Sequence, residues 1–209
     1  MTDLPALIAA FTAMFIVIDP IGLAPLFIAM TQGMTSAQRR AIAIRACLVS
    51  IGLLLLFAFF GEALLAFIGI SMPAFQIAGG VLLFITALDM LFERRQARRQ
   101  DNADEAHDDP GHDPSIFPLA IPLIAGPGAI ATIILLTGQA DSALGVGAVL
   151  GVMVIVIGIV FALFMAAGML ERLLGKTGIN VVTRLLGMLL AALSVQFILD
   201  GLRGFDLTF

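Results

Sequence analysis

The chain alternates long apolar runs with short polar breaks. Predominantly apolar stretches lie near residues 6–30, 46–68, 74–92, 116–137, 143–168 and 185–202. A helix of about 20 apolar residues spans a hydrocarbon core of roughly 30 Å. None of the runs alternates with the period of two that a transmembrane barrel requires. Lipid offers no partner to an unpaired amide, so each run is predicted to be helical. The pattern therefore predicts an all-α polytopic membrane protein with six transmembrane helices.

The polar positions between the runs predict its orientation. Arg39, Arg40 and Arg45 fall in the first loop, and Arg94, Arg95, Arg98 and Arg99 in the third. Arg172, Lys176 and Arg184 lie in or beside the fifth, so only Arg203 of the 11 basic residues falls on the other side. By the positive-inside rule the odd-numbered loops are expected to be cytoplasmic and both termini periplasmic, in a bacterial inner membrane. Composition agrees: 60% of residues are apolar and 12% charged, with a mean hydropathy of +1.09. Soluble domains average roughly 45–50% apolar and about 25% charged. The lone Cys47 excludes an intrachain disulfide or a CxxC pair. No cleavable signal peptide is expected, because Asp3 and Pro5 stand where a basic segment would be. The stretch 93–115, with His107 and His112 in its acidic half, reads as a solvated cytoplasmic linker rather than a metal or pH site. It joins the units 1–92 and 116–209 within one membrane domain.

Those two units resemble each other. FIVIDPIGLAPLFIAMTQG (15–33) matches IPLIAGPGAIATIILLTGQ (121–139) at an offset of 106–107, with Pro20 against Pro127. GISMPAFQIAGG (69–80) matches GINVVTRLLG (178–187) at nearly the same offset. A unit of three spans ends on the side opposite its start, so a second copy must be inverted. Two inverted three-helix repeats are the architecture of many secondary transporters.

Spans one and four each carry a break near the middle. Proline inside a helix removes an N–H and clashes with the preceding turn, at a cost of about 3 kcal/mol. Asp is a preferred N-cap and Pro is favoured at the first helical position. Asp19-Pro20 and Gly126-Pro127 are thus predicted to start new half-helices at the bilayer midplane. Their unpaired N–H groups and positive dipole ends would make anion sites. A small zwitterion fits that chemistry, its carboxylate on the amides around Gly126, Pro127 and Gly128 and its ammonium facing Asp19. Pro20 and Gly22 complete the first break. Gln76 and Gln196 are further candidates, since a buried amide has several hydrogen-bonding positions to satisfy. Thr12, Ser50, Thr86, Thr132 and Ser194 are expected to bond between helices, and Gly147, Gly151, Gly158 and Gly168 to mark close helix packing. Glu62, Asp89 and Asp200 are expected to snorkel to water.

FIVIDPIGLAPLF, FPLAIPLIAGPGAIAT and GISMPAFQIAGGVLLF, together with the basic odd loops, resemble the MarC family of bacterial inner-membrane proteins, over essentially the whole chain. The resemblance implies three-plus-three helices, periplasmic termini and transport of small neutral amino acids such as glycine or alanine. Family members often carry Asn where Asp19 stands, which supports capping or substrate contact over obligatory proton carriage. The expected function is a secondary transporter or exporter working by alternating access. The alternatives are a carrier of another solute, a cation or a drug, and an intramembrane enzyme. The enzyme is disfavoured: both histidines lie in the polar loop and no HExxH or Walker motif is present. No cofactor and no nucleic-acid partner are expected. The expected partners are the bilayer and the substrate, and a homo-oligomer is compatible with the sequence.

Overall fold

The computed structural model describes residues 4–95, 113–140 and 142–205, all in helices and their connections. Helices α1 (Leu4–Ile18) and α2 (Pro20–Met30) are separated by one residue, and α3 (Ser36–Ile68) and α4 (Met72–Leu91) follow. Beyond the polar stretch come α5 (Ser115–Ile124), α6 (Pro127–Gly138), α7 (Ala143–Met165) and α8 (Ala167–Arg203). Five segments are long and apolar enough to cross a membrane, or six when the bent pair α5–α6 counts as one span. His107, His112, Arg98 and Arg99 lie outside the described residues.

Local chemistry sets the boundaries. Thr35 caps α3 reciprocally with Gln38: the Gln38 N–H donates to Thr35 Oγ1 at 3.3 Å and the Thr35 N–H to Gln38 Oε1 at 2.9 Å. Gly69, at φ 84°, ends α3 in the left-handed conformation that glycine adopts without steric cost. Ser71 and Ser142 cap α4 and α7 one-sidedly, their hydroxyls accepting the N–H groups of Ala74 at 3.4 Å and Gly145 at 3.1 Å. Two boundaries differ from the hydropathy reading. The basic segment around Arg39 and Arg45 is the first part of α3, because helical propensity and the Thr35 cap carry the helix past its apolar run. The fifth connection is also helical, turning only at Gly175 (φ 60°, ψ 176°).

The half-helices sit innermost. In α6, Ala129 and the whole stretch from Ala131 to Leu136 are buried, and in α2 so are Pro20, Gly22, Leu23, Ala24, Leu26 and Phe27. Phe27 stacks on Phe164 of α7 with ring centroids 4.4 Å apart. The long helices instead point Phe59, Phe60, Phe67, Leu173 and Leu189 outward, as a lipid-facing surface demands. Packing is reciprocal between the units. Helix α3 contacts α5 and α6 while α7 contacts α1 and α2, and α4 contacts α6 while α8 contacts α2.

The tightest interface joins α4 to α8. A Cβ on Gly80 would lie 2.7 Å from Ile198 Cγ1 and 2.8 Å from the Ser194 carbonyl. A Cβ on Gly187 would lie 3.3 Å from the Ala87 carbonyl and 3.5 Å from Leu91 Cγ. Gly201 likewise abuts Pro73 and Ile77. Contacts ascending α8 thus descend α4, so the two helices run antiparallel. Glycine lets their backbones meet where any side chain would intrude. The expectation for Gly147, Gly151, Gly158 and Gly168 is corrected: a Cβ at any of them meets nothing within 4 Å. They lie on outer faces of α7 and α8, where spacing alone does not distinguish a packed glycine from a lipid-facing one.

At the mouth of α5, Asp113 accepts from the Ser115 hydroxyl at 2.6 Å and the Ser115 N–H at 3.0 Å, and pairs with Arg45 of α3. The Ser115 hydroxyl bond, with Arg45, holds its carboxyl below the ordinary carboxylate range. A depressed native value contributes stability above the unfolded-state value, about 4, which is lost as pH falls through the native one. Acid titration of detergent-solubilised protein should show this loss below about pH 4, and Asp113→Asn should remove it. Because the pair is exposed, the effect should stay under about 1 kcal/mol. Gly80→Leu and Gly187→Leu should each cost about 1–3 kcal/mol in unfolding titrations, whereas Gly147→Leu should be neutral.

Candidate functional site

The first break is a single residue wide. Asp19 adopts φ 57° and ψ 64°, its N–H donates to the Phe15 carbonyl at 2.9 Å, and its own carbonyl accepts from Leu23 N–H at 3.1 Å. The hydrogen-bond ladder therefore passes through the break, although Pro20 has no N–H to give. The Asp19 carboxylate is fully buried and accepts the Gly22 N–H at 3.1 Å. Gly22 makes this possible, because a Cβ there would stand 2.2 Å from Asp19 Oδ2. The anion position at the start of α2 is thus filled by the chain itself.

The second break is wider and lacks such a cap. Within α5, Phe117 and Ile121 are extended and the Phe117-Pro118 and Ile121-Pro122 peptides are cis. The pair α5–α6 bends by 56°. Gly126 caps α6 with backbone only, having no side chain to accept from its first turn. A larger residue is excluded there, since a Cβ on Gly126 would lie 2.4 Å from the Pro122 carbonyl. A Cβ on Gly128 would lie 3.1 Å from Val17 Cγ1 and 3.3 Å from Leu83 Cδ2, closer than ordinary van der Waals contact.

A cavity of about 240 Å³ opens at this uncapped end. Gly126, Pro127, Gly128 and Ala129 form one wall, and Val17, Thr86, Asp89 and Arg95 lie among the residues of the other. The guanidinium of Arg95 donates to the Val17 carbonyl at 2.6 Å and approaches Met90 Sδ at 3.1 Å. Val17 sits in the last turn of α1, where carbonyls lose their helical donors and the dipole is negative, so a cation is the favoured cap. Asp89 is 8% exposed. The cavity therefore combines a carboxylate, a guanidinium and the positive end of α6.

Of the residues singled out in the sequence, Gly126, Pro127 and Gly128 line this cavity. Asp19, Pro20 and Gly22 form the buried cap beside Val17 and are not among its walls. Gln76 is buried on α4 away from those walls, and Gln196 is exposed, donating to Asp200 Oδ1 at 2.8 Å. Two expectations are corrected. Asp89 does not snorkel to water but is buried, lining the cavity together with Arg95. The hydroxyls of Thr12, Ser50, Thr86, Thr132 and Ser194 all bond to carbonyls of their own helices, which a helical Ser or Thr reaches without a partner helix. The signal for Asp89 was nonetheless present: an acidic residue inside an apolar run is costly unless it has a role.

The match to a family model covers residues 4–205, and the model is described as MarC family integral membrane protein. The chain belongs to the MarC family. Among relatives, a UPF0056 membrane protein of Methanocaldococcus jannaschii is 34% identical over 97% of this chain and 98% of its own. The MarC-family relative YvbG of Bacillus subtilis, a UPF0056 membrane protein, is 36% identical over 95% of this chain and 94% of its own. The inner membrane protein YhgN of Escherichia coli is 32% identical over 94% and 96%. No solved structure matches.

The Asp19–Gly22 cap makes a quantitative prediction. Gly22→Ala should destabilise by about 1–2 kcal/mol, the scale of a lost N-cap, and Asp19→Asn by less, because an amide oxygen still accepts. In an Asp19→Ala background, Gly22→Ala should cost little, as measured by a double-mutant cycle on unfolding in detergent.

Proposed function

We propose that this MarC-family chain is a secondary transporter or exporter of small neutral amino acids, working by alternating access between two inverted three-helix repeats. The observation that carries the reading is the uncapped start of α6 opening into a cavity that also holds Asp89 and Arg95. A zwitterion needs both charges met away from bulk water. Its carboxylate would accept from the first-turn N–H groups of α6 and from Arg95, while its ammonium would face Asp89. Asp19, the acid first suggested by the sequence for that role, is engaged in capping α2. The cavity, about 240 Å³ and lined also by Leu82, Ile85, Leu123 and Ile124, has ample room for a small zwitterion.

The repeat reading draws support from the α4–α8 interface. Gly80 and Gly187, Ala87 and Ser194, and Leu91 and Ile198 are each separated by the 107-residue offset. Gly80 meets Ser194 and Ile198, while Gly187 meets Ala87 and Leu91. Each contact is the other's counterpart, as a pseudo-twofold axis between two antiparallel helices requires. The reciprocal packing of the remaining helices agrees. With the odd loops cytoplasmic, the cavity lies on the cytoplasmic half of α4, so the protein stands open or nearly open to the inside, with both termini periplasmic.

Uptake and efflux of radiolabelled glycine and alanine in proteoliposomes test the proposal. Thr86→Leu, which fills the cavity, should abolish flux. Asp89→Asn and Arg95→Gln should each weaken apparent affinity roughly thirtyfold, the scale of about 2 kcal/mol for losing one partner of a buried charge contact. Equal flux in parent and Thr86→Leu would sink the site. No flux of any small neutral amino acid by the parent would sink the substrate class.

A further inference from the structure

Beside the cavity, α4 and α8 enclose a second, narrower cleft lined by Asp89, Met90, Glu93, Arg95, Asn180 and Thr183. Thr183 is 3% exposed, and its Oγ1 is buried with no hydrogen-bond partner. An orphaned buried hydroxyl costs about 1–3 kcal/mol, and a bridging water is the usual remedy. Here the cleft admits no water-sized sphere. The α4 carbonyl end adds negative potential from its dipole. Glu93, just past that end, takes φ 61° and pairs with Arg184 of α8 at 2.9 Å. The guanidinium of Arg95 engages Val17 and Met90.

We infer that this cleft binds a dehydrated sodium ion, with Thr183 Oγ1, the Asp89 carboxylate and the Asn180 amide oxygen as ligands and Glu93 as the outer charge. Small hard cations take oxygen ligands, and secondary transporters place coupling ions at helix C-terminal ends near the substrate. At the 107-residue offset the counterparts of Asp89 and Thr183 are Gln196 and Gln76, a neutral pair in the other unit. A helix pair of this shape therefore does not require the carboxylate, which points to charge recognition at the Asp89 copy. Asp89 lines both the cleft and the cavity. Sodium and a substrate ammonium would compete for it, so that one replaces the other and the two move in exchange. This last step rests on the proposed transport function; the ion site does not.

Thermal unfolding of the full chain in detergent, in NaCl against equimolar choline chloride, tests the site without transport. Sodium should raise the melting temperature of the parent by several degrees, because a ligand bound only by the folded state stabilises it. Thr183→Val should be at least as stable as the parent in choline, having lost an unsatisfied group, and should lose the sodium shift. Thr183→Ser should keep the shift and Asp89→Asn lose it. No sodium shift in the parent, or an undiminished shift in Thr183→Val, overturns the inference. So does a stabilisation that follows pH and not sodium, which would make the ligand a proton. In proteoliposomes an inward sodium gradient should drive glycine or alanine out, and sodium on the substrate side should raise the half-saturating amino acid concentration at least tenfold. A sodium shift without amino acid flux would leave the ion site standing and remove the substrate proposal. Flux indifferent to sodium would overturn the exchange step and leave the ion site to the thermal measurement.

Discussion

A backbone carbonyl or amide left unpaired in hydrocarbon costs several kcal/mol, and the arrangement of this chain follows from how that cost is met at Pro20 and Pro127. Both prolines remove a donor in the middle of an apolar segment. The protein responds by burying α2 and α6 among the longer helices, so the interrupted backbone faces protein rather than lipid. At the first break the repair is internal, since Asp19 caps α2 and keeps the ladder running. At the end of α1 it is borrowed, with Arg95 reaching from beyond α4 to the Val17 carbonyl. At the second break α6 begins at Gly126 with no side-chain cap, and its first turn borders a cavity.

The same constraint gathers charge in one place. Arg95 is drawn inward by the negative end of α1, and a guanidinium within the protein calls for a nearby carboxylate. Asp89 stands on the same cavity wall. Further ionic contacts lie nearby in the chain: Glu93 with Arg184 joins α4 to α8, and Asp113 with Arg45 joins the start of α5 to α3. Helix interiors are held instead by apolar packing and glycine contacts, as between α4 and α8. A fold so divided sets a close-packed antiparallel spine beside exposed ionic links.

Much of this was legible in the sequence, because lipid simplifies the code. Hydropathy alone marked every spanning segment, and Asp-Pro and Gly-Pro marked where α2 and α6 begin, since N-cap preference and the lost proline donor act locally. Gly126 to Gly128 were expected at a binding site for the same reason, and they line the cavity. What escaped were facts of orientation. The sequence does not say which way a helix is rotated, so Gly80 and Gly147 look alike although one touches backbone and the other nothing. Arg95 reads as a loop cation because its partner, Val17, is distant along the chain. Asp89 reads as a helix-end acid because only the fold shows it facing inward. Gln196 looks like a core amide for the converse reason, its face of α8 being an outer one.

On the proposed transport function, the contrast between the two breaks sets where a solute would sit. Matched half-helix starts would suggest two equivalent anion positions. Yet the Asp19 side chain that caps α2 already occupies the first position, and Gly22 leaves it the space to stay. A second carboxylate there would find that first-turn N–H already taken. Gly126 imposes no such block, and the Pro122 carbonyl forbids any side chain that could create one. On the inverted-repeat reading, then, the two copies have divided the work. One completes its own hydrogen bonds and becomes part of the scaffold. The other keeps its donors for a ligand.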